Sequence, residues 1–209
     1  MVRAVLLLIA LCEATLSAQW PVDLSLKKTT WTTISTFSRF PLGNLPDGSL
    51  FFDFPSTGSI KYLYDRRPPS SLLGATHLLV ALTVETTGTP VFRYDTEPSN
   101  TCVTPAKVRP FLWANHNGGG EFDRWWSNPV TYTLAAGSAV LDVPLSPESW
   151  SSVFGKFGTY DAASLEGFLS ALSHVSSLGV TFGGGCFFGH GVYVTDGIAR
   201  FILTSYQVR

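Results

Sequence analysis

Between Arg109 and Leu134 the chain reads RPFLWANHNGGGEFDRWWSNPVTYTL, which gathers flat rings, amides, guanidinium groups and acids around a triple glycine. On a strand of period two, Arg109, Phe111, Trp113, Asn115 and Asn117 share one face. Pro110, Leu112 and Ala114 share the other, small and apolar enough for a core. Gly118, Gly119 and Gly120 allow the chain to reverse where positive φ is needed. Arg124, Trp125 and Trp126 then send one indole to each face of the returning strand. Rings interleaved with amide and guanidinium donors suit a sugar, whose axial C–H face stacks on aromatics while its hydroxyls need partners. The expected contact set is Trp113, Asn115, Arg124 and Trp126, with His116, Asn117 and Glu121 at the rim. The competing assignment makes Trp113 and one of Trp125 and Trp126 plain core residues.

Other reactive groups are weaker. Glu121 and Asp123, two apart beside His116, have the spacing of strand residues on one face. They suit the paired carboxylates of a glycoside hydrolase or lyase, or ligands of a metal; the bland alternative is a solvated turn. Cys186 and His190 bracket a glycine-rich turn, which raises nucleophilic catalysis. No third orienting residue accompanies them, so a structural thiol or a disulfide with Cys102 competes. His190, between Gly189 and Gly191, has no neighbouring side chains to shield it and joins the candidate ligand contacts. Asp65, Arg66 and Arg67 read as a solvated loop tip, and His77 and His174 as edge or helix-end residues. There is no G-x-S-x-G elbow, H-E-x-x-H, C-x-x-C or P-loop, and no G-x-G-x-x-G opening a helix after a strand. No residue is assigned as catalytic.

The N-terminus sets the compartment. Arg3 precedes an apolar run from Ala4 to Leu11, and Leu16, Ser17 and Ala18 offer small residues for cleavage before Gln19. Residues 1–18 therefore read as a secretory signal, too short to span a bilayer. A lipoprotein site at Cys12 competes, but the large Leu11 precedes it. The expected product, residues 19–209, is secreted or periplasmic and long enough for one sizeable core. There, Cys102 and Cys186 either form one disulfide or remain separate buried thiols. With 14 basic and 15 acidic residues the chain has no electrostatic footprint for nucleic acid. Charged residues make up 14% and aromatics 13%, with 19 glycines and 13 prolines, which favours a β-rich domain with many tight turns.

The elements that must carry these groups are mostly strands. Trp31–Phe40, Ser49–Phe54 and Ser59–Tyr64 are β-prone, with loops at Pro41–Gly48 and Pro55–Gly58. His77–Thr86 alternates cleanly, with Leu78, Val80, Leu82 and Val84 on one face. Gly88 is expected to turn the chain into Val91–Thr96, and Ala139–Leu145 to form another strand. Ser146–Lys156 reads as a helical turn pinned by Trp150. One helix follows, capped by Asp161, with Leu165, Phe168, Leu169, Leu172 and Val175 on one stripe. Val192–Thr195, a turn at Asp196-Gly197 and Ile198–Val208 are expected to close the domain as a hairpin. The fold class is all-β: a single-domain β-sandwich of the jelly-roll kind with one or two short helices.

The alternating HLLVALTVETTGTPVFRY, the VPLSPESW that ends a strand in a tryptophan-bearing turn, the helix before LGVTFGGG and the final GIARFILTSYQV share an order of features. That order resembles the galactose-binding-like jelly-roll superfamily, which includes carbohydrate-binding modules and the domain of complex I intermediate-associated protein 30. Through RWWSNPVTYTLAAG and GGGCFFGHGV the chain also looks like an exported bacterial family of unassigned role. The superfamily implies a ligand face on a concave sheet or in end loops, often with a structural calcium ion. This chain has no acid-rich loop to assign to that ion. The leading expectation is non-catalytic glycan binding. A carbohydrate-active hydrolase or lyase using His116, Glu121 and Asp123, and a module that meets a protein partner in the cell envelope, are the alternatives.

Overall fold

The computed structural model describes residues 20–37, 40–95, 104–115, 119–186 and 188–209. His116, Asn117, Gly118, Cys102 and residues 1–19, the expected leader 1–18 among them, lie outside them. The described strands are β1 (Val22–Asp23), β2 (Trp31–Ser35), β3 (Gly43–Asn44), β4 (Leu50–Asp53), β5 (Ile60–Asp65), β6 (His77–Tyr94) and β7 (Lys107–Trp113). They continue as β8 (Arg124–Ser127), β9 (Tyr132–Thr133), β10 (Gly137–Pro144), β11 (Trp150–Ser152), β12 (Ser177–Gly183) and β13 (Val192–Val208). A 3₁₀ turn spans Pro147–Ser149 and a helix, α1, spans Ala162–Ser173.

Pairing arranges these strands as two antiparallel layers of a β-sandwich. The back layer runs β10-β6-β13, with β4 and β1 on the far side of β13 and β3 on β4. The front layer runs β2-β5-β12-β7-β8-β11, with β9 beside β7. One pair, Val192 opposite Ile60, joins the layers through hydrogen-bonded backbone. Alternation explains the core: Leu78, Val80, Leu82 and Val84 of β6 turn inward, as do Leu178, Val180 and Phe182 of β12. Across the sandwich, Phe182 meets Phe201 edge-on at 5.1 Å and Phe52 at 5.5 Å.

The expected turns at Gly88 and at Asp196-Gly197 do not form. Instead β6 and β13 each run on as one long strand, antiparallel along their length, with Gly197 opposite Gly88. Gly88 (φ 77°) and Asp196 (φ 62°) take left-handed backbone at a register shift in β13. One extra residue is absorbed as a bulge, so the paired strands bend together and do not reverse. The helix stripe also differs from expectation. Phe168, Ala171 and Leu172 are buried, but Leu165 and Leu169 face outward beside the exposed Leu73. The stripe that packs is carried by small residues, including the buried Ser164, as well as by large ones.

Asp161 caps α1 by accepting the Ser164 backbone N–H at 2.7 Å. That bond, then the Ser164 hydroxyl, holds the carboxyl below its ordinary range. The charged cap therefore stabilises the fold above the usual carboxylate pKa and is lost as pH falls through the lowered value. Asp161→Ala should lower Tm at neutral pH by roughly 2–4 °C, with the gap to the parent closing as acid protonates the cap. Thermal melts of both proteins from neutral to acid pH check it.

Candidate functional site

The register of the front layer sets out the side chains on its outer face in rows. Thr32, Tyr64, Gly179, Phe111, Trp126 and Ser151 stand side by side across β2, β5, β12, β7, β8 and β11. A neighbouring row holds Ile34, Tyr62, Thr181 and Arg109, and a third holds Ser177, Trp113 and Arg124. Directly opposed residues of an antiparallel pair share a face, so these groups lie together. They form a second aromatic cluster, Tyr62, Tyr64, Phe111, Trp113 and Trp126, distinct from the core between the layers. Trp125 points the other way, into that core. The sequence expectation of one indole per face therefore holds.

The expectation that Trp113 and Trp126 present open rings does not. They are only 3% and 4% exposed. Trp113 packs edge-on to Tyr62 at 4.8 Å and against Phe111 at 5.0 Å, with the Arg124 guanidinium 5.2 Å from its ring. Over Trp126 comes Phe188, from the glycine-rich return between β12 and β13, at 6.2 Å between ring centres. The physical reason is side-chain bulk: neighbouring strands place these rings within van der Waals reach, and they bury one another. Gly189 seats the return against Tyr62, since a Cβ there would stand within 1.9 Å of the Tyr62 oxygen. The Tyr62 phenol is raised above its ordinary pKa by burial, an effect opposed by hydrogen bonding to Thr181 and by the Trp126 indole.

A cleft of about 460 Å³ opens at the edge of this face. Trp126, Phe188, His190 and Cys186 form one wall, and the turn Ser152 to Gly155 forms the other. Of the residues singled out in the sequence, Trp126 and His190 meet here. Trp113 and Arg124 sit one row over, and Asn115 lies exposed beyond the end of β7. Phe154, 71% exposed, was missed, as were Ser152 and Phe188. Its signal was an aromatic directly before a glycine in SSVFGK, and Gly155 does take positive φ (78°) at the tip. That turn is held by the Ser152 N–H donating to the Lys156 carbonyl at 2.8 Å.

The acids have other work. Glu121 pairs with the Lys156 ammonium at 3.0 Å, bracing the same turn from behind. Asp123 accepts the Gly120 N–H at 2.8 Å and closes the hairpin between β7 and β8. Neither lines the cleft. Among the described residues no three His, Cys, Asp or Glu side chains converge as metal ligands, so no residue is assigned to the calcium ion that the resemblance implies.

The chain matches no family model and no curated protein. It is similar to one solved structure, described as "Solution structure, dynamics and binding studies of CtCBM11". The identity is 11% and the TM-score 0.49, over 92% of this chain and 96% of the other. Any function must therefore be argued from this chain's own side chains. Among the described residues no helix is long and apolar enough to cross a membrane.

Proposed function

We propose that the chain is a non-catalytic carbohydrate-binding domain of the galactose-binding-like kind, exported behind a leader at residues 1–18 and folded over residues 19–209. One observation carries the reading. The cleft is lined by Trp126, Phe154 and Phe188, of which Phe154 offers an open ring, with Ser152 and His190 as polar residues among them. A cleft that mixes rings with placed polar groups suits a small polar ligand, and rings stack on the C–H faces of sugars. In this reading Cys186 pairs with Cys102 in an oxidising compartment and holds the return that carries Phe188 and His190.

Phe154 makes the sharpest test because it is exposed and its loss leaves no cavity in the core. Phe154→Ala should weaken retention on polysaccharide by about tenfold or more, the loss of one stacked ring, while Tm stays within roughly 2 °C of the parent. Affinity electrophoresis against a glycan panel, alongside thermal melts, reads both. Unchanged retention on every glycan that binds the parent would place the ligand elsewhere.

A further inference from the structure

Arg109 lies in the middle of the outer face and is only 3% exposed. Its guanidinium donates to the carbonyl oxygens of Ser127 and Gly184, at 3.3 and 3.4 Å, both long for a charged donor. Among the described residues no carboxylate pairs with it; the three ion pairs are His77 with Asp142, Lys156 with Glu121 and Arg200 with Asp53. Above it lies the Phe188 ring, 3.6 Å from the guanidinium carbon to the ring centre. Phe188 also lines the cleft, so the residue stacked on the buried cation borders the space assigned to the ligand.

Burying a cation without an anion is costly, and a partial carbonyl partner does not restore the lost hydration. That cost shows in Arg109, whose pKa burial lowers to about 10. An anion arriving beside it would recover the deficit. The planar fork of a guanidinium matches a carboxylate, with two parallel N–H···O bonds replacing the two long ones. Gly184, whose carbonyl now occupies one arm of the fork, heads a return with Gly185, Gly189 and Gly191. The last two take positive φ, the left-handed backbone that glycine adopts without strain.

We propose that the cleft selects acidic glycans, and that Arg109 receives the carboxylate of a uronate residue as Phe188 swings aside. This deepens the carbohydrate-binding reading and rests on it. The test compares retention on polygalacturonate and alginate with retention on carboxyl-reduced polygalacturonate, neutral β-glucan and a sulfated galactan. Both uronate polymers should retain the protein, and reducing the carboxyl to the alcohol should weaken binding roughly tenfold or more. Arg109→Lys, which keeps the charge and loses the fork, should bind the uronate polymers weakly while its circular dichroism matches the parent. If that variant does not fold, the carboxyl-reduced polymer still decides, because it leaves the protein untouched. Equal binding to the reduced and acidic polymers, a preference for the sulfated one, or full uronate binding by a folded Arg109→Lys overturns the proposal. Retention on neutral glycans alone would sink this inference and leave the carbohydrate reading standing; retention on none of the polymers would sink both.

Discussion

Gly179→Ala is expected to give no stably folded protein. Gly179 lies in β12, the strand between β5 and β7, every residue of which is buried. A Cβ at this position would stand 2.1 Å from the Leu63 carbonyl oxygen and 2.6 Å from the Tyr64 Cα. Both are backbone atoms of the adjacent strand and cannot rotate away. Relief requires β5 and β12 to part, which breaks the ladder and opens the aromatic face where Tyr64 and Phe111 flank the glycine. The Gly179 carbonyl also accepts the buried Tyr206 hydroxyl at 3.2 Å, so a shift of β12 breaks a tie to the back layer as well. Domains of this kind hold roughly 5–15 kcal/mol in total, and overpacking against rigid backbone falls in the class that costs about 4 kcal/mol or more. Soluble yield, far-UV circular dichroism and a thermal melt check the result. Gly119→Ala is the control: no atom lies within 4 Å of its would-be Cβ, and it should melt with the parent. A normal melt for Gly179→Ala would show that the front layer has slack the close approach denies.

How far the sequence could be read depended on whether the deciding contact was local. Period-two alternation found the inward face of β6, and placed Trp125 and Trp126 on opposite faces of β8, because pleating alone sets those directions. Asp161 was legible as a cap for the same reason: its partner is three residues away. Gly88 and Gly197 were misread as turns because a turn and a paired bulge use the same residue. Only the partner strand, more than a hundred positions distant, distinguishes them. Likewise, exposure of Trp113 and Trp126 was not written in their own stretch. It depends on Tyr62 from β5 and on Phe188 from the return after β12, which arrive by tertiary packing. Glu121 looked like an acid awaiting a ligand until the fold brought Lys156 to it. The cleft was the least legible feature, since its walls come from β8, the turn after β11 and the return before β13.

Trp125→Ala should separate folding from binding. The ring is fully buried, stacked on Phe122 at 5.9 Å and edge-on to Phe168 of α1 at 5.2 Å. Its indole N–H donates to the Phe122 carbonyl at 2.9 Å, which fixes the hairpin between β7 and β8 over the helix. Phe122 in turn lies so close to α1 that a Cβ on Gly167 would stand 2.4 Å from its ring. Removing the indole thus empties a large volume, strands a carbonyl and loosens the hairpin–helix contact together. The expected cost is about 3–5 kcal/mol, a fall in Tm of roughly 10 °C or more. Yet Trp125 faces away from the cleft, across the thickness of the front layer from Trp126. Below its lowered melting point, the variant should therefore bind polysaccharide as the parent does per folded molecule, the reverse of Phe154→Ala. If instead Trp125→Ala loses binding while still folded, the two faces of β8 are coupled, and the cleft depends on how tightly the core behind it is packed.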